Sequence, residues 1–219
     1  MLLYLLSYKL GNEIEVLKKW IKEHGENIVL IANSRDWSPE SQAKEESILR
    51  DCASLEGIGF NVKRMDLREY FGKEEQLRKD LENCHAFYVI GGNTFTLRLA
   101  MKYSGFDKYL IEILNNDNYL YAGYSAGICV LAPRLNGLDL IDEPINPYNN
   151  EEILYEGLNI LNFVPVPHYK SDHPESKLVD KVVEILEERK IKYRALKDGD
   201  VIIIDKEVER IWYLWKKRN

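Results

Sequence analysis

Short runs of apolar residues alternate with longer stretches in which apolar side chains recur every three or four positions. The runs over 2–7, 27–33, 61–66, 85–90 and 119–124 read as strands. The stretches over 13–24, 39–55, 74–82, 94–101 and 107–115 read as helices, the first with Ile14, Val16, Leu17, Trp20 and Ile21 at helical spacing. This alternation predicts a mostly parallel sheet with helices on both faces. Right-handed crossovers then bring the carboxyl ends of the parallel strands to one edge, where open α/β sheets bind ligands. The pattern changes in the last third, where 134–167 is richer in Pro, Asn and Asp. A helix over 175–189 and short strands over 192–196, 201–205 and 208–214 close the chain, with Asp205-Lys206-Glu207 as a tight hairpin connection. There is no repeat, low-complexity tract or linker, so the expectation is a single domain over 1–219.

Composition narrows the function classes. The 219 residues are 45% hydrophobic and 30% charged, with a net charge of -6, which disfavours a nucleic-acid partner. The basic cluster Lys216-Lys217-Arg218 reads as a solubilising tail. No apolar run approaches the ~20 residues that span a bilayer, so no membrane partner is expected. The apolar start, Met1 to Leu6, lacks a basic leader and a cleavage pattern and reads as a buried strand rather than a signal peptide. Three cysteines, Cys52, Cys84 and Cys129, are odd in number and without a C-x-x-C pair, which predicts reduced thiols and a cytoplasmic location. Four histidines without ligand spacing give no metal signature. Trp212, Tyr213 and Trp215 would cover either a subunit contact or the domain's own edge, so monomer and homodimer both stay open.

The chemistry concentrates in Gly123-Tyr124-Ser125-Ala126-Gly127, which joins an apolar run to a second one at 128–131. G-x-S-x-G on a strand–turn–helix is the nucleophile elbow, with the serine hydroxyl raised above the sheet edge. The helix after Ser125 would aim unpaired N–H groups and its positive end at the reacting atoms. A second turn, Gly91-Gly92-Asn93-Thr94, follows another strand and ends at Asn93 or Thr94 as a helix N-cap. Its Gly92 N–H and that of Ala126 would form an oxyanion hole. Serine also needs a base. His24 on a surface helix and His85 at the start of a buried strand are poor candidates. His168, after the apolar run 163–167, is favoured over His173. Asp139, Asp142, Asp198 and Asp200 all sit in turns, and spacing does not choose among them as the carboxylate that orients the base.

Together the Gly-Gly-Asn-Thr turn, the Gly-Tyr-Ser-Ala-Gly elbow and the Pro167-His168 pair resemble the peptidase E (aspartyl dipeptidase) and cyanophycinase-like serine peptidases. The segment from Tyr155 to Asn162 is similar to that family's lead-in to its histidine, and the likeness spans roughly 85–200. The resemblance implies a three-layer, flavodoxin-like fold of the class I glutamine amidotransferase type. It implies Ser125 as nucleophile, His168 as base and the Gly92 and Ala126 N–H groups as oxyanion donors, with no metal or organic cofactor. The family's acid, glutamate in its best-known form, falls on the turn Leu196-Lys197-Asp198-Gly199 here, so Asp198 is the match and Asp139 the runner-up. The implied substrate is a small peptide, and an N-terminal aspartate would need a cation such as Arg35 or Lys170. An esterase or amidase using the same groups, and a non-catalytic binding protein on this scaffold, are the alternatives. Glutamine amidotransfer is disfavoured because Cys129 lies inside the helix after the elbow.

Overall fold

The computed structural model describes residues 1–148, 151–174, 176–205 and 208–212. Strands β1 (Leu2–Leu6), β2 (Asn27–Ile31), β3 (Asn61–Met65), β4 (Ala86–Val89) and β5 (Leu120–Tyr124) alternate with helices α1 (Ile14–His24), α2 (Gln42–Glu56), α3 (Glu74–Leu81), α4 (Thr94–Ser104) and α5 (Phe106–Ile113). The one-turn helix α6 (Ala126–Cys129) follows β5. Then come β6 (Val164–Val166), α7 (Ser176–Glu188), β7 (Tyr193–Ala195), β8 (Val201–Asp205) and β9 (Val208–Trp212).

Among the described residues the main sheet has seven strands in the order β3-β2-β4-β5-β1-β8-β9. The first five are parallel, while β8 runs antiparallel to β1 and β9 antiparallel to β8. Alternate side chains along each strand face opposite layers. Leu3, Leu5, Val29, Ile31, Phe87, Val89 and Tyr121 pack with Leu77, Leu97 and Phe106 of α3, α4 and α5. Tyr4, Leu6, Ile28, Leu30, Tyr88 and Ala122 pack with Leu17, Trp20, Ile48 and Leu55 of α1 and α2. Strands buried on both faces explain why their sequences read as near-continuous apolar runs. The arrangement is the mostly parallel, helix-covered sheet expected from the sequence pattern and the three-layer, class I glutamine amidotransferase-like architecture that the resemblance implied.

Several boundaries shift for local reasons. Helix α2 starts at Gln42 rather than at Pro39, because the Ser41 hydroxyl accepts the Lys44 N–H at 3.2 Å and caps it there. Helix α4 runs three residues past its expected end and stops at Gly105, whose φ of +80° suits glycine. The strand expected over 192–196 pairs not with the main sheet but with β6, in parallel. Asp205 of β8 pairs with Val208 of β9, whereas Lys206 and Glu207 of the expected hairpin connection lie outside the described residues. So do Glu175, Tyr213, Leu214, Trp215 and the 216–218 basic cluster, and the side chain of Trp212 is likewise not described. Among the described residues no helix is long and apolar enough to cross a membrane.

Close backbone contact between β4 and the turn after β5 fixes two glycines. A Cβ on Gly127 would lie 2.1 Å from the Val89 carbonyl oxygen, and one on Gly123 2.8 Å from the same atom. Val89 is held in the sheet centre by β2 and β5, so it has no room to yield. Gly127→Ala is expected to destabilise the fold by about 2–4 kcal/mol, read as a lowered urea midpoint. An unchanged midpoint would mean that this turn packs differently.

Candidate active site

The turn after β5 holds Ser125 at φ +51°, ψ -117°, a backbone conformation that costs a non-glycine residue energy. It persists because its neighbours over-determine it. The Ser125 N–H donates to the Leu6 carbonyl of β1 at 3.3 Å, and its own carbonyl accepts from Ile128 and Cys129 at 2.9 and 3.0 Å. Helix α6 is only one turn long, so its individual N–H groups matter more here than a helix dipole. Neither the Ala126 nor the Gly92 N–H has a hydrogen-bond partner among the described residues. The Gly91-Gly92 turn leans on the same point, since a Cβ on Gly91 would come within 3.0 Å of the Ser125 Cβ. Asn93, not Thr94, is the N-cap of α4, its Oδ1 accepting the Thr96 N–H at 2.9 Å.

His168 reaches this edge from a separate β-α-β unit. Strands β6 and β7 pair in parallel with α7 between them, so the residues after both strands emerge at one end. Cross-bonds from Leu196 N–H to Val166 and from Tyr169 N–H to Leu196, each 2.9 Å, lock the two exits together. That register places His168 Nδ1 2.7 Å from Asp198 Oδ1. Ser7, at the end of β1, ties the unit to the main sheet. Its hydroxyl donates to Asp198 Oδ1 at 2.9 Å and accepts the His168 backbone N–H at 2.9 Å. Asp198 in turn donates its backbone N–H to Ser171 Oγ at 3.0 Å.

Ser125 and His168 line one cleft of about 320 Å³, together with Tyr8, Arg35, Trp37, Gly92, Glu143 and His173. No hydrogen bond joins the Ser125 hydroxyl to the His168 ring among the described contacts. The imidazoles of His168 and His173 stack at 3.9 Å, and the Tyr8 ring meets both. His168 is 2% exposed. Burial, then the neighbouring His173, push its pKa below the ordinary 6.5, against the upward pull of Asp198. Its imidazole is therefore neutral at pH 7, as an acceptor of the serine proton must be. If His168 acts as base, activity should rise with pH through a midpoint below 6.5, because the protonated ring cannot accept a proton. A kcat/KM profile that still climbs well above pH 7 would contradict this.

The remaining candidates separate by their partners. Asp139 accepts the Gly137 N–H at 2.7 Å within its own turn. Asp142 accepts the Thr94 N–H and hydroxyl at 2.9 and 2.6 Å. Asp200, nearly fully buried, accepts the Lys197 N–H at 2.8 Å. Arg35 reaches the cleft, but Lys170 does not: its ammonium lies over the Tyr169 ring, 4.9 Å from the centroid, and is exposed. His24 stacks on Trp20, His85 packs near Tyr119, and the Cys129 thiol donates to the Pro165 carbonyl. Ser7, Tyr8 and Trp37 escaped the sequence reading. The available signal for the first two was position, since they directly follow a parallel strand on the ligand-binding edge.

Known proteins resemble this chain in sequence and in fold. An uncharacterized peptidase of Listeria monocytogenes is 30% identical over 131 residues, a match covering 59% of this chain and 60% of that protein's length. An uncharacterized peptidase of Listeria innocua is 29% identical over 157 residues, 71% of each chain. A solved structure from Listeria monocytogenes EGD-e, described as a "Putative Peptidase E Protein", superposes with a TM-score of 0.78 at 22% identity, covering 97% of this chain and 98% of that one. A peptidase from an acI-B1 Actinobacterium gives a TM-score of 0.65 at 15% identity, covering 97% and 93%. At those identities the two structures establish the shared fold. Peptidase family S51 matches residues 12–211, from the first helix through the last described strand, and the chain belongs to that family.

Proposed function

We propose that this chain is a serine exopeptidase acting on small peptides, with a preference for an N-terminal aspartate. The observation that carries the reading is the 2.7 Å contact between His168 Nδ1 and Asp198 Oδ1 at a cleft that Ser125 also lines. In this mechanism Asp198 holds the ring so that Nε2 is the basic nitrogen. Nε2 takes the Ser125 proton as Oγ attacks the scissile carbonyl. The Gly92 and Ala126 N–H groups stabilise the oxyanion that forms. His168 then protonates the leaving amine, and water deacylates the serine by the reverse route. The turn around Ser125 acts as the nucleophile elbow.

Charge along the cleft supports the substrate class. Arg35 is the permanent cation among the described lining residues and favours an acidic side chain. Glu143, exposed on the same cleft, favours a free N-terminal ammonium, as an exopeptidase requires. The test is a panel of Asp-Ala, Ala-Ala, N-acetyl-Asp-Ala and a short-chain nitrophenyl ester. The proposal predicts fastest cleavage of Asp-Ala and little of the acetylated peptide. Ester turnover with no dipeptide cleavage would replace the peptidase with an esterase.

A further inference from the structure

We infer that Arg35 is a positioning residue that orients the oxyanion-binding peptide, in addition to supplying charge to the cleft. This rests on the serine-peptidase reading and extends it. The Arg35 Nε–H donates to the Gly91 carbonyl oxygen at 2.5 Å. The Ser34 hydroxyl lies 3.0 Å from that oxygen and 2.9 Å from the Ile90 carbonyl. A trans peptide is planar, and its C=O and N–H point in opposite directions. Whatever grips the Gly91 carbonyl therefore sets the direction of the Gly92 N–H, turning it away from Arg35 and Ser34. The Asn93 N–H, donated to the Ser34 carbonyl at 2.7 Å, closes the grip on the far side. Contact is so close that a Cβ on Gly92 would lie 2.3 Å from the Ser34 oxygen.

The same guanidinium reaches the other half of the site. Arg35 Nη2 lies 3.5 Å from the hydroxyl of Tyr124, the residue before Ser125, and that hydroxyl donates to Asp51 Oδ2 at 2.9 Å. Asp51 is 6% exposed, so its carboxylate and the Arg35 charge partly balance each other behind the cleft. One side chain thus touches the Gly91 carbonyl and the side chain of the residue that precedes Ser125. A cation that served only to attract substrate would need no such double anchorage.

Lysine keeps the charge but lacks the Nε–H, so two variants separate the two roles. Arg35→Lys and Arg35→Ala are each expected to lower kcat on Asp-Ala and on Ala-Ala by about 10- to 100-fold, with KM for Ala-Ala unchanged. Only Arg35→Ala should also lose the preference for Asp-Ala. The rate at which a fluorophosphonate modifies Ser125 should fall in parallel in both variants, because that reaction also builds charge on an oxygen in the same place. Far-UV circular dichroism and thermal unfolding check that each variant folds. Should neither fold, Ser34→Ala removes the second donor to Gly91 and predicts a smaller fall in the same two rates. Wild-type phosphonylation and kcat in the variants, with the loss confined to KM for Asp-Ala, would overturn the positioning role. Failure of the wild-type protein to take phosphonate at Ser125 would instead remove the serine-peptidase reading, and this inference with it.

Discussion

Ser125→Ala should leave a folded protein that turns over peptides about 10⁴- to 10⁶-fold more slowly than wild type. Alanine keeps the backbone atoms, and the Ser125 N–H to Leu6 and carbonyl to Ile128 and Cys129 bonds do not involve the hydroxyl. The left-handed backbone at φ +51° is as costly for alanine as for serine, so stability should change little. What is lost is the atom that forms the acyl-enzyme. The residual rate measures what the cleft achieves with water alone, through its N–H donors and by binding. Steady-state hydrolysis of Asp-Ala beside a urea unfolding curve gives both quantities. A fall of less than tenfold would show that Ser125 is a small residue filling a tight turn and that the chemistry lies elsewhere.

Asp198→Asn is the second large effect, an expected loss of about 10⁴-fold in kcat with a modest change in KM. Asp198 Oδ1 accepts from two groups, the Ser7 hydroxyl and the His168 ring. A carboxylate serves both because it is acceptor only. An amide can turn its NH₂ toward Nδ1, which puts the ring proton on Nε2, the nitrogen that must be free to take a proton from serine. The imidazolium formed during attack would also lose its counter-charge at 2.7 Å. The Asp198 N–H to Ser171 Oγ bond does not involve the carboxylate, so the turn should hold and the loss should appear in kcat. Activity within tenfold of wild type would mean that another group orients His168.

The difference between what the chain reveals and what it hides lies in range. The five parallel strands and the helices between them are legible because each is a local pattern, and burial on both faces makes β1, β2, β4 and β5 apolar runs, whereas the edge strand β3 is mostly exposed. Ser125 is legible because a close approach to Val89 demands glycine on both sides of it, and that demand is written within five residues. Asp198 is not legible in this way. Four turn aspartates look alike, and the choice depends on β6 and β7, three-residue strands that find each other only across a helix. Ser7 belongs to the same class, as its partners lie far along the chain at His168 and Asp198. Lys170 shows the converse error. It stands beside His168 in sequence, yet positive φ angles at both residues, +61° and +49°, accompany a turn that carries the lysine off to the Tyr169 ring.

Covalent capture tests the account most directly. The whole protein is treated with a fluorophosphonate at pH 7, digested with trypsin, and the adduct located by mass spectrometry, with Ser125→Ala and His168→Ala beside it. The prediction is one phosphonyl group on Ser125 of the wild-type protein, none at that position in Ser125→Ala, and greatly slowed capture in His168→Ala. An adduct on a different residue, or equal capture with and without the His168 imidazole, would contradict a serine activated by that ring.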